Sequence, residues 1–204
     1  SRLSRNQKFS IKKIKQLNFF KEIDFENKKE LKEFIRFPHS LYKNCEQYVP
    51  SLDEDEMNMF LKSKNGALEW CDVRAWVAYK DDVMVGRVAS IYNRKYIEKM
   101  NQRQLRVTRF DFIDDKEVSV ALIEKVKEWG RELECYEIMG PIGFSDLDKE
   151  GMMIQGFDCQ NLHFTLYNFP YYLEHMENIG FIKLNDWIEY RISIPEQLYP
   201  HISS

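Results

Sequence analysis

Glycine and proline are scarce in this chain, which has eight glycines and six prolines among 204 residues. So low a content gives no indication of a disordered protein. No apolar run approaches the length of about 18 residues that a membrane-spanning helix needs, and no secretory signal peptide is visible. The four cysteines show no CxxC spacing. Together these absences predict a soluble cytoplasmic protein with reduced thiols.

Neither positive nor negative charge is in large excess, since the net charge is −3 at pH 7. This mild balance argues against a dedicated nucleic-acid-binding protein. Hydrophobic residues make up 44% of the chain, enough for a sizeable core, and the length suits one domain. Residues 1–18 are interpreted as a basic leader or a tag remnant. The six basic side chains of residues 1–17 also leave open an arm for nucleic acid or an anionic membrane.

Local patterns predict a strand, two helices and a hairpin in the first half of the chain. A strand is expected over 19–25, and Asn27 is a good N-cap for the helix that follows it. The Phe37-Pro38 pair is expected to end that helix. The acid-to-lysine order of "DEDEMNMFLKSKNG" predicts a second helix. The β-rich runs that predict the hairpin are Val73–Tyr79 and Met84–Ile91.

The second half predicts a strand–helix–strand unit with a parallel pair of strands. Strands are expected over 105–114 and 135–140, and between them apolar residues recur at helical spacing. These apolar residues are Val118, Leu122, Val126, Trp129 and Leu133. After a loop over 140–158, the predicted elements are a strand in "LHFTLY", a helix over 170–179 and a final strand within 187–193.

This order of elements resembles the GNAT superfamily of acyl-CoA N-acyltransferases. The resemblance rests on "FIDDKEVSVALIEKVKEWGRELECYEIMGP" followed by "YNFPYYLEHMENIGF". A poorly characterised bacterial branch also carries "EFIRFPHSLYKN", "VGRVASI" and "IMGPIGFS" in this order. The resemblance covers roughly residues 19–193 and makes 19–204 a GNAT-like acyltransferase domain. It implies an α/β fold with a mixed, twisted sheet of about six to seven strands and helices on both faces.

The resemblance further implies that acetyl-CoA or another acyl-CoA binds where two parallel strands splay apart. Its pyrophosphate would lie on the N-terminus of the following helix. The contacts carried over in this way are Phe112, Ile113, Asp115, Lys116, Glu117, Val118 and Asn168. The family's glycine-rich loop is replaced here by "IDDKEVS", which has three acids and no glycine. Those acids equally predict a helix that is capped by its own side chains.

Two residues are implied as catalytic. In the family, a tyrosine near the Gly-Phe turn protonates the leaving thiolate. Its position here holds Met176, and Tyr172 lies one turn earlier on the same side of the helix. Asp111 is the candidate base for the amine if its side of the strand lines the cleft, and a surface acid if that side meets solvent. The alternative for "YNFPYYLEHMENIGF" is a helix anchor that ends at Gly180.

The function expected from the resemblance is transfer of an acetyl or other acyl group from acyl-CoA to a primary amine of a small molecule or peptide. The alternative is a catalytically degenerate GNAT-fold module that binds a ligand or a protein partner. No metal is expected, because Cys159 and His163 would need two more ligands. Neither a membrane nor nucleic acid is an expected partner, and a homodimer is left open.

Overall fold

The computed structural model of the chain describes residues 17–162, 164–190 and 192. Its strands are β1 (Leu17–Glu22), β2 (Cys71–Lys80), β3 (Val83–Asn93), β4 (Gln104–Phe112) and β5 (Glu137–Met139). Its α-helices are α1 (Lys28–Leu41), α2 (Asp53–Asn58), α3 (Arg94–Met100), α4 (Lys116–Glu132) and α5 (Tyr172–Ile179), and Gly66–Glu69 forms a 3-10 turn. None of the described helices is long and apolar enough to cross a membrane. Residues 1–16 of the expected leader lie outside the described residues.

The five strands form one mixed sheet in the order β1-β2-β3-β4-β5. The first four strands pair antiparallel, and β5 pairs parallel to β4 after the crossover through α4. The predicted hairpin and the predicted strand–helix–strand unit are therefore confirmed. So is the mixed α/β class, although the described sheet has five strands rather than the expected six to seven.

The two missing strands were expected in "LHFTLY" and within 187–193. In the first, the Thr165 hydroxyl accepts a hydrogen bond from the Leu162 N–H at 3.1 Å, and the Thr165 N–H bonds back to the Leu162 carbonyl at 3.0 Å. This local turn replaces strand pairing. In the second, residues 187–190 and 192 have no regular secondary structure, and the other positions of the range lie outside the described residues. Both strand predictions are wrong for the described residues.

Helices cover both faces of the sheet, as predicted. On one face, α1 and the segment after α2 bury Leu31, Phe34 and Phe60 against the sheet. On the other face, α4 and α5 pack on a larger core. The predicted apolar face of α4 is confirmed, since its buried side chains include Val118, Leu122, Val126 and Trp129. The sheet is thus a central layer between two layers of helix.

Helix α1 continues past Pro38, where the sequence predicted its end. Asn27 caps its start as expected, with its side chain accepting from the Lys29 and Glu30 N–H groups. Proline has no N–H to donate to the carbonyl four residues earlier, which is that of Phe34. The Arg87 guanidinium donates to this carbonyl at 2.8 Å and to that of Ile35 at 3.1 Å. The strand thus supplies the donor that the proline removes, and the helix runs on to Leu41.

Strand β4 contains a bulge at Arg109. Arg87 pairs with Asp111 and Ala89 pairs with Thr108, so Val88 lies opposite two residues, Arg109 and Phe110. The backbone of Arg109 has φ 48°, in the left-handed region that non-glycine residues seldom adopt. A bulge of this kind changes which side of the strand the next residues face.

The change of side is visible in the core. Leu105 and Val107 are two residues apart in the core under α4, but the next core residues are Phe110 and Phe112. The step from Val107 to Phe110 is three residues instead of two. The alternation of core-facing and outward-facing side chains is therefore shifted by one residue at the bulge. As a result, Asp111 lies on the side of β4 opposite to Phe110 and Phe112.

Helix α4 lies directly against β3 at Gly86. A Cβ at this position would come within 2.7 Å of Leu122 Cδ1 and 2.9 Å of Val118 Cγ1. Such distances are shorter than side chains tolerate, so this glycine allows the close approach of the helix. The approach fixes the start of α4 beside the end of β4.

Candidate active site

A cleft opens where β4 runs on beyond its short partner β5. The last paired residues of the two strands are Arg106 and Met139. Beyond them, the cleft lies between β4, the end of α1, the segment 48–56, the loop over 141–152 and the segment 165–172. Residues from β3 and β4 form its floor. The short β5 thus leaves a cleft beside the second half of β4, lined by both apolar and charged side chains.

Three hydroxyl and carboxyl groups meet on one wall of the cleft. The Tyr172 hydroxyl lies 3.0 Å from the Tyr42 hydroxyl and 3.4 Å from Asp111 Oδ1, and it bonds to the Phe112 N–H at 3.3 Å. Burial, and then the negative charge of Asp111, raises the pKa of Tyr172 well above its usual value. The hydroxyl therefore stays protonated at neutral pH and is available as a donor.

Asp111 lies on the cleft side of β4 and not in bulk solvent. Its Oδ2 accepts from Arg87 at 2.7 and 2.8 Å, and both side chains are largely buried. Its Oδ1 is 3.3 Å from the Tyr42 hydroxyl. The structure thus brings together the two residues that the resemblance implied as catalytic, Tyr172 and Asp111, within one hydrogen-bonded network.

A second polar cluster lies further along the same cleft. Arg109 donates through Nε to Glu56 at 3.1 Å, and Lys149 Nζ donates to the Ser51 hydroxyl at 2.7 Å. Burial acts to raise the pKa of Glu56, but the charges of Arg109 and Arg87 outweigh it, and the pKa is lowered. Burial lowers the pKa of Lys149. This cluster is made of charged groups held out of bulk water.

Aromatic rings close the wall behind Tyr42. Its ring stacks on Tyr48 at 4.5 Å, meets Tyr167 edge-on at 5.8 Å and lies 4.9 Å from Phe169. Burial raises the pKa of Tyr48 above its usual range. These neutral rings keep water away from the Tyr172–Asp111 network and strengthen its electrostatic interactions.

The start of α4 is capped by its own side chains. The Asp115 carboxylate accepts from the Glu117 N–H at 3.0 Å, and Lys80 Nζ contacts both Asp115 and Glu117 at 2.8 Å. Burial acts to raise the pKa of Asp115, but Lys80 and the backbone donors lower it. The carboxylate thus occupies the anion position at the helix start. Of the residues implied in CoA binding here, Val118 is buried in the core under α4.

Side chains of α5 contact residues at the start of α4. His175 is buried, with Nδ1 2.7 Å from the Ser119 hydroxyl and Nε2 2.9 Å from Asp114. Lys116 pairs with Glu174 at 2.7 Å. Four carboxylates, those of Asp114, Asp115, Glu117 and Glu174, therefore face two lysines, Lys80 and Lys116. Since the net charge is negative, these residues do not fit a pyrophosphate.

The backbone carbonyl and N–H of Phe112 in β4 are likewise already hydrogen-bonded to side chains. The Tyr171 hydroxyl donates to the Phe112 carbonyl at 2.5 Å, and Tyr172 takes the Phe112 N–H. The Ile113 N–H bonds to the Val85 carbonyl at 3.0 Å. The resemblance implied that both Phe112 and Ile113 contact acyl-CoA. A donor that uses the groups of Phe112 must displace the two tyrosine hydroxyls.

Asn168 holds the cleft loop. Its side chain accepts from the Met153 N–H at 2.7 Å and donates to the Met153 carbonyl at 3.0 Å. This two-point contact fastens the loop to the start of α5, where Asn168 also lines the cleft. Met176, at the family's tyrosine position, is buried in the core.

Several cleft residues were not identified from the sequence. These are Tyr42, Glu56, Arg87, Arg109 and Lys149. One signal was present, because Arg87 stands in the middle of an apolar strand, where a charge needs a buried partner. Among the described residues, no group of three or more acids, histidines or cysteines could hold a metal ion, and His163 lies outside the described residues.

Comparisons with known proteins give one relative in sequence and several in fold. No family model matches the chain. Protein YghO of Escherichia coli K12 is 31% identical over 159 residues, which are 78% of this chain and 40% of that protein. The chain thus spans less than half the length of this relative.

Two solved structures share the architecture. An aminoglycoside acetyltransferase from an uncultured soil metagenomic sample, in complex with sisomicin, has a TM-score of 0.51 at 9% identity over 87% of this chain and 96% of its own. A predicted acetyltransferase from Clostridium acetobutylicum with acetyl-CoA has a TM-score of 0.50 at 11% identity over 85% of this chain and 95% of its own. At such identities the likeness concerns the fold alone. With its mixed sheet, its parallel β4 and β5 and the crossover through α4, the chain has a GNAT-like, acyl-CoA N-acyltransferase fold.

Proposed function

We propose that the chain is an N-acyltransferase that moves an acetyl or other acyl group from a thioester donor, acyl-CoA, to a primary amine. The observation that supports this most directly is the Tyr172 hydroxyl. It is buried, protonated and 3.4 Å from Asp111, at the end of β4 that β5 leaves free. Of the two solved structures named above, one is an aminoglycoside acetyltransferase and the other a predicted acetyltransferase. The amine belongs to a small molecule or a peptide.

In this proposal the amine attacks the thioester carbonyl directly. A nitrogen–carbon bond forms, the carbon–sulfur bond breaks, and the sulfur takes the proton of Tyr172. The proton that the amine loses reaches the tyrosine oxygen through Asp111, so that one proton passes in total from amine to thiolate. Arg87 holds the Asp111 carboxylate in position through its two contacts to Oδ2.

A second candidate is a GNAT-fold module without acyl transfer, which binds a ligand or protein partner in the same cleft. It is favoured by the self-capped start of α4, where Asp115 takes the place of an anion. The tyrosine contacts at Phe112 favour it as well. Under this candidate, Tyr171 and Tyr172 serve to anchor α5.

Calorimetry with acetyl-CoA and acetyl-pantetheine, with dephospho-CoA and pantetheine as controls, tests both candidates. Micromolar binding of acetyl-CoA, followed by transfer to an amine, would support the acyltransferase. Equal affinity for acetyl-CoA and acetyl-pantetheine would agree with a donor held by its thioester arm, because the helix start offers no pyrophosphate site. Absence of binding at millimolar concentrations would contradict the acyltransferase and leave the second candidate.

A further inference from the structure

The cleft is lined by one more lysine or arginine than carboxylates, and His39, which also lines it, contacts Asp53 at 3.2 Å. Its lining contains Arg87, Arg109 and Lys149 but, among the carboxylates, only Glu56 and Asp111 of the described residues. Arg87 is matched by Asp111 at 2.7 Å, and Arg109 by Glu56 at 3.1 Å. The positive charge in surplus therefore belongs to Lys149.

Lys149 is held in a position that leaves its ammonium group incompletely satisfied. An ammonium has three donors, and within the described part of the chain Nζ has one hydrogen-bond partner, the Ser51 hydroxyl at 2.7 Å. Burial, the largest influence, lowers its pKa, while the charge of Glu56 acts in the opposite sense. A partly buried cation without a full set of acceptors gains free energy when an anion arrives.

Arg109 presents a second donor to the same space. Its Nε bonds to Glu56 and its Nη1 to the Thr108 hydroxyl at 3.0 Å, which leaves Nη2 without a hydrogen bond in the described residues. The residue is placed there by the bulge, with φ 48°. Backbone in this sparsely populated region persists where the surrounding structure holds it in place, and such residues cluster at ligand-binding sites.

We propose that the acceptor is an amine that also carries a carboxylate, and that Lys149, Arg109 and the Ser51 hydroxyl bind this carboxylate. The inference rests on the proposed acyl transfer and specifies its acceptor. Arg109 and Asp111 are two residues apart on β4, so their Cα atoms are roughly 7 Å apart. A short amino acid reaches from one end of the cleft to the other, with its carboxylate at Lys149 and its amine toward Asp111 and Tyr172.

The test is equilibrium binding without any acyl donor, with glycine, β-alanine and γ-aminobutyrate as probes and their three amides as uncharged counterparts. At least one acid is expected to bind about tenfold more tightly than its amide, because a charge-assisted hydrogen bond contributes more than a neutral one. Lys149→Met is expected to remove this preference. Lys149→Arg keeps the charge and is expected to retain it. Lys62→Met, a change at an exposed lysine outside the cleft, is the matched control.

The inference is overturned if acids and amides bind equally, if none of the three acids binds at millimolar concentration, or if Lys149→Met keeps the preference. Because no donor is present, the result is independent of acyl transfer. A protein that prefers the acids but transfers no acyl group would contradict the proposed function and keep the carboxylate site. A protein that acylates amines without preferring the acids would support the proposed function and contradict the carboxylate site.

Discussion

Arg87 and Asp111 are partners in two ways: they are paired across β3 and β4, and their side chains form a buried ion pair of 2.7 Å. The same guanidinium donates to two carbonyls of α1, those of Phe34 and Ile35. One side chain therefore joins the helix on one face to the acid in the cleft. Its removal is expected to affect both stability and the site.

Replacing Arg87 with Met is expected to lower the free energy of unfolding by about 3–5 kcal/mol, because Asp111 is left buried without its partner. The double variant Arg87→Met/Asp111→Asn is expected to be more stable than the sum of the two single changes predicts. Urea denaturation of the four proteins measures this coupling. Strictly additive effects would show that the ion pair has no energetic role.

Tyr172→Phe removes the proposed proton donor and leaves the ring in place. If the chain is an acyltransferase, kcat is expected to fall by about 10²–10⁴-fold, with little change in donor affinity. Steady-state kinetics and calorimetry on the same preparation separate the two quantities. Tyr136→Phe, at an exposed tyrosine, is the control. An unchanged kcat would remove Tyr172 from the mechanism.

Glu56 is expected to contribute to the pH dependence of stability. Its pKa in the folded protein lies below the ordinary value of 4.5, so its contribution is present above that pH and is lost as the pH falls through the lowered pKa. Glu56→Gln lacks this contribution. At neutral pH the variant is expected to be less stable by about 1–3 kcal/mol. The difference, measured by urea denaturation at a series of pH values, should shrink as the solution becomes more acidic; a constant difference would contradict the assignment.

Gly86→Ala tests the close approach of α4 to β3. The added methyl group would meet Leu122 and Val118 within 3 Å, so the helix must shift. We expect a loss of about 1–3 kcal/mol in thermal or chemical unfolding. Gly66→Ala is the matched control, since no atom lies within 4 Å of the added group there. Equal stability of the two variants would show that the helix adapts without cost.

The elements that could be predicted from the sequence are those that carry their own pattern. The buried face of α4 repeats at helical spacing, and the hairpin of β2 and β3 consists of two β-rich runs around Asp81-Asp82. The parallel pairing of β4 with β5 follows from the crossover through α4 that joins them. In each case neighbours in the chain determine the structure.

The cleft could be predicted only in part, because its charged pairs join distant parts of the chain. Glu56 and Arg109 are 53 residues apart, and Tyr42 and Tyr172 are 130 apart. The continuation of α1 past Pro38 likewise depends on Arg87, which supplies the missing donor from another element. The bulge is visible in the sequence as the three-residue step between the apolar residues Val107 and Phe110, where regular alternation would give two.

Arg109 is the extra residue of the bulge in β4, so the pairing of β4 with β3 does not require it. If it were deleted, Phe110 would lie opposite Val88, the β3–β4 ladder would be regular, and Leu105, Val107, Phe110 and Phe112 would keep their side of the strand. Asp111 would keep its pairing with Arg87 as well. The strand without Arg109 would be shorter, unstrained and equally able to fill its core. The Arg109 guanidinium is thus an addition to a complete strand, and its contacts, including the ion pair with Glu56, lie in the cleft rather than in the sheet.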